Sequence, residues 1–118
     1  MKLLIVDDSL IMRKAVERSL AEKNFTLVGS AGDGVEALRI FSETLPDLVT
    51  MDISMPKMDG LSCLTEMLKV KKDAKILIIS SQTDKHTAAE AKQRGAAGIL
   101  GKPFSAAQII AKVDEILG

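Results

Sequence analysis

The segment Asp47-Leu48-Val49-Thr50-Met51-Asp52-Ile53-Ser54-Met55-Pro56-Lys57-Met58-Asp59-Gly60 opens with an apolar run, Leu48 to Met51, and stops on a carboxylate. A short run of this kind reads as a strand covered on both faces. Pro56 and Gly60 then mark a loop, because proline lacks a backbone donor and glycine tolerates unusual dihedrals. An acid at the carboxyl end of a buried strand lies where open α/β sheets bind ligands. Asp52 is the candidate reacting group.

Outward from this segment the same unit recurs. Lys2 to Val6 reads as a strand ending at Asp7-Asp8. Ser9 then caps a helix expected to run to about Lys23, with Ile11, Met12, Ala15, Val16 and Leu20 at helical spacing. Thr26 to Ala31 is a second strand. Gly32-Asp33-Gly34 turns into a helix with Val35, Leu38, Phe41 and Leu45 on one face, stopped by Pro46. Gly60 to about Lys72 forms the third helix and Ile76 to Ile79 the fourth strand. An Ala-rich helix over about Asp84 to Arg94 follows, then a strand over Ala97 to Leu100. The last helix spans Ser105 to Leu117, with a stripe of Ala106, Ile109, Ile110, Val113, Ile116 and Leu117. Five strand–helix repeats with short connections predict an α/β, doubly wound, parallel five-stranded sheet with helices on both faces. Periodicity leaves the strand order open.

The 118 residues fit a single domain over 1–118, and the 47% hydrophobic fraction argues against disorder. Sixteen Lys and Arg balance sixteen Asp and Glu, which removes the bulk electrostatic case for nucleic acid or an anionic membrane. No apolar run approaches the ~20 residues of a membrane helix, and a strand at Leu3 to Val6 leaves no room for a signal peptide before it. Cys63 is the only cysteine, so no intramolecular disulfide forms, which suits a reducing cytoplasm. It reads as a core thiol beside Leu64, Met67 and Leu68. Trp and Tyr are absent, which weighs against base stacking. With no residues left for an output domain, the module is expected to act through partners.

All strand carboxyl ends of a parallel sheet share one edge. Four of the five strands end in Asp7-Asp8, Asp52, Ser80-Ser81 and Lys102. Each alone has an ordinary reading as a cap or a turn; together at one edge they make a site. Crowded carboxylates repel unless a cation intervenes, and a hard divalent ion such as Mg²⁺ (or Mn²⁺) suits oxygen ligands. Lys102 adds a positive charge and Ser80 a hydroxyl, a set able to bind phosphoryl oxygens. Phosphoryl transfer needs mainly positioning and charge neutralisation, and aspartate is a nucleophile for phosphoryl groups.

Val6-Asp7-Asp8-Ser9, the run Asp52 to Gly60 and Gly101-Lys102-Pro103-Phe104 resemble the receiver domains of two-component response regulators, most closely the single-domain chemotaxis, CheY-type members. The resemblance covers the whole chain. It implies a flavodoxin-like strand order of 2-1-3-4-5 with five helices. It implies that Asp52 accepts a phosphoryl group from a histidine kinase, with self-catalysed transfer and dephosphorylation. Asp8 and Asp52 would bind Mg²⁺ through carboxylates, Ser54 through its carbonyl and Asp7 mostly through water. Ser80, the amide of Ser81 and Lys102 would hold the phosphoryl group, and the Lys102–Pro103 bond would be cis. Ser54 and Gln82 occupy the positions that tune hydrolysis. The position three before Lys102, usually an aromatic that swings inward on activation, is Ile99, and Gly101 stands where a bulkier residue is common. The implied output is a downstream protein, such as the flagellar motor switch, met by the face of the fourth helix, fifth strand and fifth helix of a cytoplasmic monomer.

The alternatives are a phosphorelay intermediate, an unphosphorylated pseudo-receiver or flavodoxin-like nucleotide binder, and an aspartate-nucleophile phosphatase of the haloacid dehalogenase type. The phosphatase needs a second Asp two residues after its nucleophile, where this chain has Ser54. His86, the sole histidine, reads as a solvated residue opening the fourth helix. Gly29 to Gly34 has the wrong glycine spacing for a dinucleotide loop. Lys69 to Lys72 reads as cations suited to a helix C-terminus, and Met51, Met55 and Met58 as packing or loop residues.

Overall fold

The computed structural model describes residues 1–82 and 84–118. Five parallel strands, β1 (Lys2–Val6), β2 (Thr26–Ala31), β3 (Leu48–Met51), β4 (Lys75–Ser80) and β5 (Gly98–Gly101), lie in the order β2-β1-β3-β4-β5. Five helices connect or follow them: α1 (Leu10–Ser19), α2 (Gly34–Thr44), α3 (Gly60–Val70), α4 (Lys85–Gln93) and α5 (Ala106–Leu117). The alternation and the strand order are as expected.

Alternate strand residues feed two cores. Leu4, Val6, Val49, Met51, Ile76 and Ile78 face a cluster with Phe41 of α2, Cys63, Leu64 and Met67 of α3, and Ala91 of α4. Leu3, Ile5, Leu48, Leu77 and Ile79 face Val16 of α1, Leu20 just after it, and Ile109 and Val113 of α5. Period-two alternation thus explains why each central strand is apolar throughout. Phe41 is fully buried, and truncating it to alanine would cost about 3–5 kcal/mol.

Every helix starts on a side-chain oxygen that accepts an orphan backbone N–H: Ser9 from Met12, Asp33 from Glu36, Asp59 from Ser62, Asp84 from Thr87 and Ser105 from Gln108. Ser105 and Gln108 complete a reciprocal capping box.

The differences from expectation are local. The first helix ends at Ser19 instead of about Lys23, and a single 3-10 turn, Ala21–Lys23, leads to Asn24 at φ 62. Leu20 still buries, but outside the helix. Ile11 is 82% exposed, and Val35, Leu45 and Ala106 also lie outside the core. Leu45 caps α2 in the left-handed region, which turns it off the buried stripe. β5 runs one residue later than expected, over Gly98–Gly101, so Lys102 follows it directly.

Candidate functional site

Strand register assembles the site. Val6 pairs with Met51, so Asp7 and Asp52 leave adjacent strands side by side. Ser80 pairs with Gly101, so the residue after that pair, Lys102, rises beside them. Asp52's amide donates to Val6 O at 3.1 Å and Asp7's to Ala31 O at 3.0 Å, which extends the ladder one step beyond the strands. Asp7, Asp52 and Ser80 are buried, and Asp8 is exposed.

Asp7, Asp8 and Asp52 each bring one carboxylate oxygen to within 4.8 Å of the others, the one such cluster among the described residues. Two charges at that separation repel by on the order of 3 kcal/mol at an effective dielectric of about 20. Lys102 answers part of this: its ammonium donates to Asp7 Oδ2 at 2.7 Å and lies 3.3 Å from Asp52 Oδ2. Burial pushes the Asp52 carboxyl above its ordinary value; Lys102 opposes that rise and Asp7 adds to it. Burial alone would lower the Lys102 ammonium, but the hydrogen bond it donates to Asp7 and the charges of Asp7 and Asp52 carry it above its usual value.

The donor set suits a hard cation. Opposite ligands on Mg²⁺ lie about 4.2 Å apart, so oxygens within 4.8 Å of one another are near a shared coordination sphere. One exposed acid leaves a solvent side on which such an ion keeps its waters.

The loop after Asp52 is held tightly to it. Ile53 N–H donates to Asp52 Oδ1 at 2.8 Å, and Gly60 N–H donates to Ile53 O at 2.8 Å. A Cβ on Gly60 would stand 2.0 Å from the carbonyl oxygen of Asp52, so only glycine lets α3 begin this close to the candidate acceptor. Lys57 takes φ 69 within the loop and lies 3.7 Å from Asp33. Ser54 is exposed on the same loop.

Ser80 Oγ accepts Gln82 N–H at 3.0 Å, and Lys102 N–H donates to Ser80 O at 3.0 Å, tying the β4 exit to the β5 exit. Ser81 and Gln82 are exposed. The Lys102–Pro103 peptide is cis. Ile99 is half-buried in a groove of about 240 Å³ between α4 and β5, lined also by Ala88, Ala91, Lys92 and Ala96. His86 is exposed, Cys63 is fully buried, and no helix among the described residues is long and apolar enough to cross a membrane.

Arg13 has no place among the residues expected at the site, and Gly60, expected to end the loop and start the third helix, also packs on the Asp52 carbonyl. Arg13 Nη1 donates to the main-chain oxygen of Asp7 at 2.6 Å. The available signal was an arginine in the first turns of a helix, where the dipole disfavours a cation.

Comparison with known proteins shows the family and the fold. The response regulator receiver domain family matches residues 3–114. The chain is 35% identical to the chemotaxis protein CheY of Bacillus subtilis over 116 residues, covering 98% of this chain and 97% of that one. It is 34% identical to CheY of Listeria monocytogenes over 115 residues, with the same coverage. Among solved structures, a CheX–CheY–BeF₃–Mg²⁺ complex from Borrelia burgdorferi superposes with a TM-score of 0.96 at 30% identity, over 100% of this chain and 90% of that chain.

Proposed function

This chain belongs to the response regulator receiver domains, and from that premise we propose that residues 1–118 form one receiver domain working as a phosphorylation-dependent switch. The observation that carries the reading is the convergence of Asp7, Asp8 and Asp52 on one point, with the Lys102 ammonium between Asp7 and Asp52. An oxygen of Asp52 attacks the phosphorus of a phosphohistidine on a histidine kinase. The new O–P bond forms as the P–N bond breaks, and the histidine nitrogen leaves with its electron pair.

Asp8 and Asp52 through their carboxylates, Ser54 through its carbonyl and Asp7 mostly through water would hold Mg²⁺ (or Mn²⁺). Such an ion neutralises charge that develops on the phosphoryl oxygens. Lys102 pairs with one phosphoryl oxygen; the Ser80 hydroxyl and the Ser81 amide meet others. The Ser80 hydroxyl donates to the new anion, and a shift of Oγ toward it draws along Gln82, whose N–H that oxygen accepts. Ser54 and Gln82, both exposed beside the site, set water access and so the lifetime of the acyl phosphate.

The output is a downstream protein bound through α4, β5 and α5, and the likeness to CheY chains supports a role in chemotaxis as a cytoplasmic monomer. Ile99 in place of an aromatic means that the output is set by the loop and α4 rather than by a rotating ring. The test is incubation with Mg²⁺ and acetyl phosphate followed by intact-mass measurement. One phosphoryl adduct, absent in Asp52→Asn, is expected; an adduct that persists in Asp52→Asn, or none in the wild type, overturns the reading.

A further inference from the structure

Every polar atom of Asp7 has a partner within the chain. Its amide donates to Ala31 O at 3.0 Å, Oδ1 accepts Ser9 N–H at 2.9 Å, Oδ2 accepts from Lys102 at 2.7 Å, and its main-chain oxygen accepts from Arg13 Nη1 at 2.6 Å. The last of these is the unusual one. Arg13 sits in the first turns of α1, where the helix dipole disfavours a cation, and Ser9 already caps that helix. Neither the helix dipole nor the cap therefore calls for a cation here. Arg13 Nε is also buried without a hydrogen-bond partner among the described residues, a cost accepted to aim the guanidinium at one peptide oxygen. Gly32 leaves the room: a Cβ there would stand 2.9 Å from Arg13 Nη1.

We propose that Arg13 is a positioning residue for the cation site, fixing the Asp7–Asp8 peptide so that both carboxylates converge with that of Asp52. The inference rests on the metal-binding part of the proposed function. Two readings of the guanidinium predict opposite signs. As a mere positive charge near three acids it disfavours a cation, and its removal tightens Mg²⁺ binding. As the clamp on the Asp7 carbonyl it favours binding, and its removal loosens the site. Groups that orient ligating carboxylates commonly change metal affinity by about tenfold or more.

The deciding experiment titrates Mg²⁺ into the intact protein by calorimetry for the wild type, Arg13→Ala, Arg13→Met and Arg13→Lys, after circular dichroism has shown each to be folded. Arg13→Met retains the aliphatic stem and serves if Arg13→Ala does not fold. A Kd raised about tenfold in Arg13→Ala and Arg13→Met, partly restored in Arg13→Lys, is expected. The Mg²⁺ concentration giving half-maximal modification by acetyl phosphate should rise in parallel, while the rate at saturating Mg²⁺ stays within about twofold. A loosened fold would lower that plateau as well and so counts against the proposal. Unchanged or tighter Mg²⁺ binding in Arg13→Ala or Arg13→Met overturns the inference alone; a wild type that binds no Mg²⁺ overturns the proposed function with it.

Discussion

Lys102 reaches across the sheet edge to place its ammonium 2.7 Å from Asp7, a residue 95 positions away in the chain. Its side chain keeps only 17% of its exposure, so the pair is strong but costly to break from one side. Lys102→Met should destabilise the metal-free protein by about 2 kcal/mol, less than the roughly 3–5 typical of fully buried pairs. Because ammonium and cation serve the same carboxylates, Mg²⁺ should raise the melting temperature more in the variant than in the wild type. Equal rises in the two melting curves would refute a shared site. The raised ammonium value also sets a pH window. Its stabilising contribution is complete below about 10.5 and lost as pH climbs through the higher folded value, a slope the variant should lack.

Asp52 makes the opposite contribution. Burial lifts its folded-state value above 3.8, so the folded protein binds more protons than the unfolded chain as pH rises from there. Stability therefore falls across that window, and the ionised Asp52 is a net liability at neutral pH. Asp52→Asn should melt higher than the wild type at pH 7, with the advantage shrinking toward pH 4 and below. A lower melting temperature at pH 7 would show that the attraction to Lys102 outweighs burial.

Gly60→Ala sets two magnitudes against each other. Alanine is the better helix residue by about 1 kcal/mol, but its Cβ would meet Asp52 O at 2.0 Å, and backbone cannot yield cheaply. Overpacking typically costs about 1–3 kcal/mol, so a net loss of up to about 2 kcal/mol and slower modification of Asp52 are expected. Urea denaturation showing a gain in stability would mean that the loop gives way freely.

Cys63 is fully buried, and burial, with Asp59, Asp33 and Glu66 adding to it, pushes its thiol up to about 12. The native thiol should react with Ellman's reagent at pH 8 at least ~10³-fold more slowly than the urea-unfolded chain, because modification requires opening. Since the folded value exceeds 9.0, the thiol also withdraws stability as pH rises from about 9 to 12, and Cys63→Ala should flatten that limb.

The gathering of the candidate residues was largely legible because a parallel sheet brings its strand ends together without any long-range inference: Asp7, Asp52, Ser80 and Lys102 needed only the right strand boundaries to share one edge. Strand order did not follow from periodicity, since every central strand here is apolar on both faces and fits any interior position. The stripes misled where a helix buries a narrow face. In α1 only Val16 is fully covered, so Ile11 at matching spacing points to solvent. Arg13 and Gly60 were illegible for another reason: each acts on a backbone oxygen, and backbone contacts leave no residue-type signature in the partner.

Thr50 offers the last test, two residues before Asp52 in β3. It reads as an ordinary member of an apolar strand, yet its hydroxyl is buried, at 1% exposure, with no hydrogen-bond partner among the described residues. Its register neighbours are Ile5 on β1 and Leu77 on β4, both apolar. A buried hydroxyl without a partner costs roughly 1–3 kcal/mol, and valine has nearly the same shape with a strong strand preference. Thr50→Val should therefore raise the urea midpoint by an amount worth about 1 kcal/mol at constant m-value. Loss of stability would mean that an internal water satisfies the hydroxyl, an arrangement valine would dismantle. Because Asp52 takes its own bonds from Ile53 and the edge ladder rather than from Thr50, modification by acetyl phosphate should proceed at an unchanged rate.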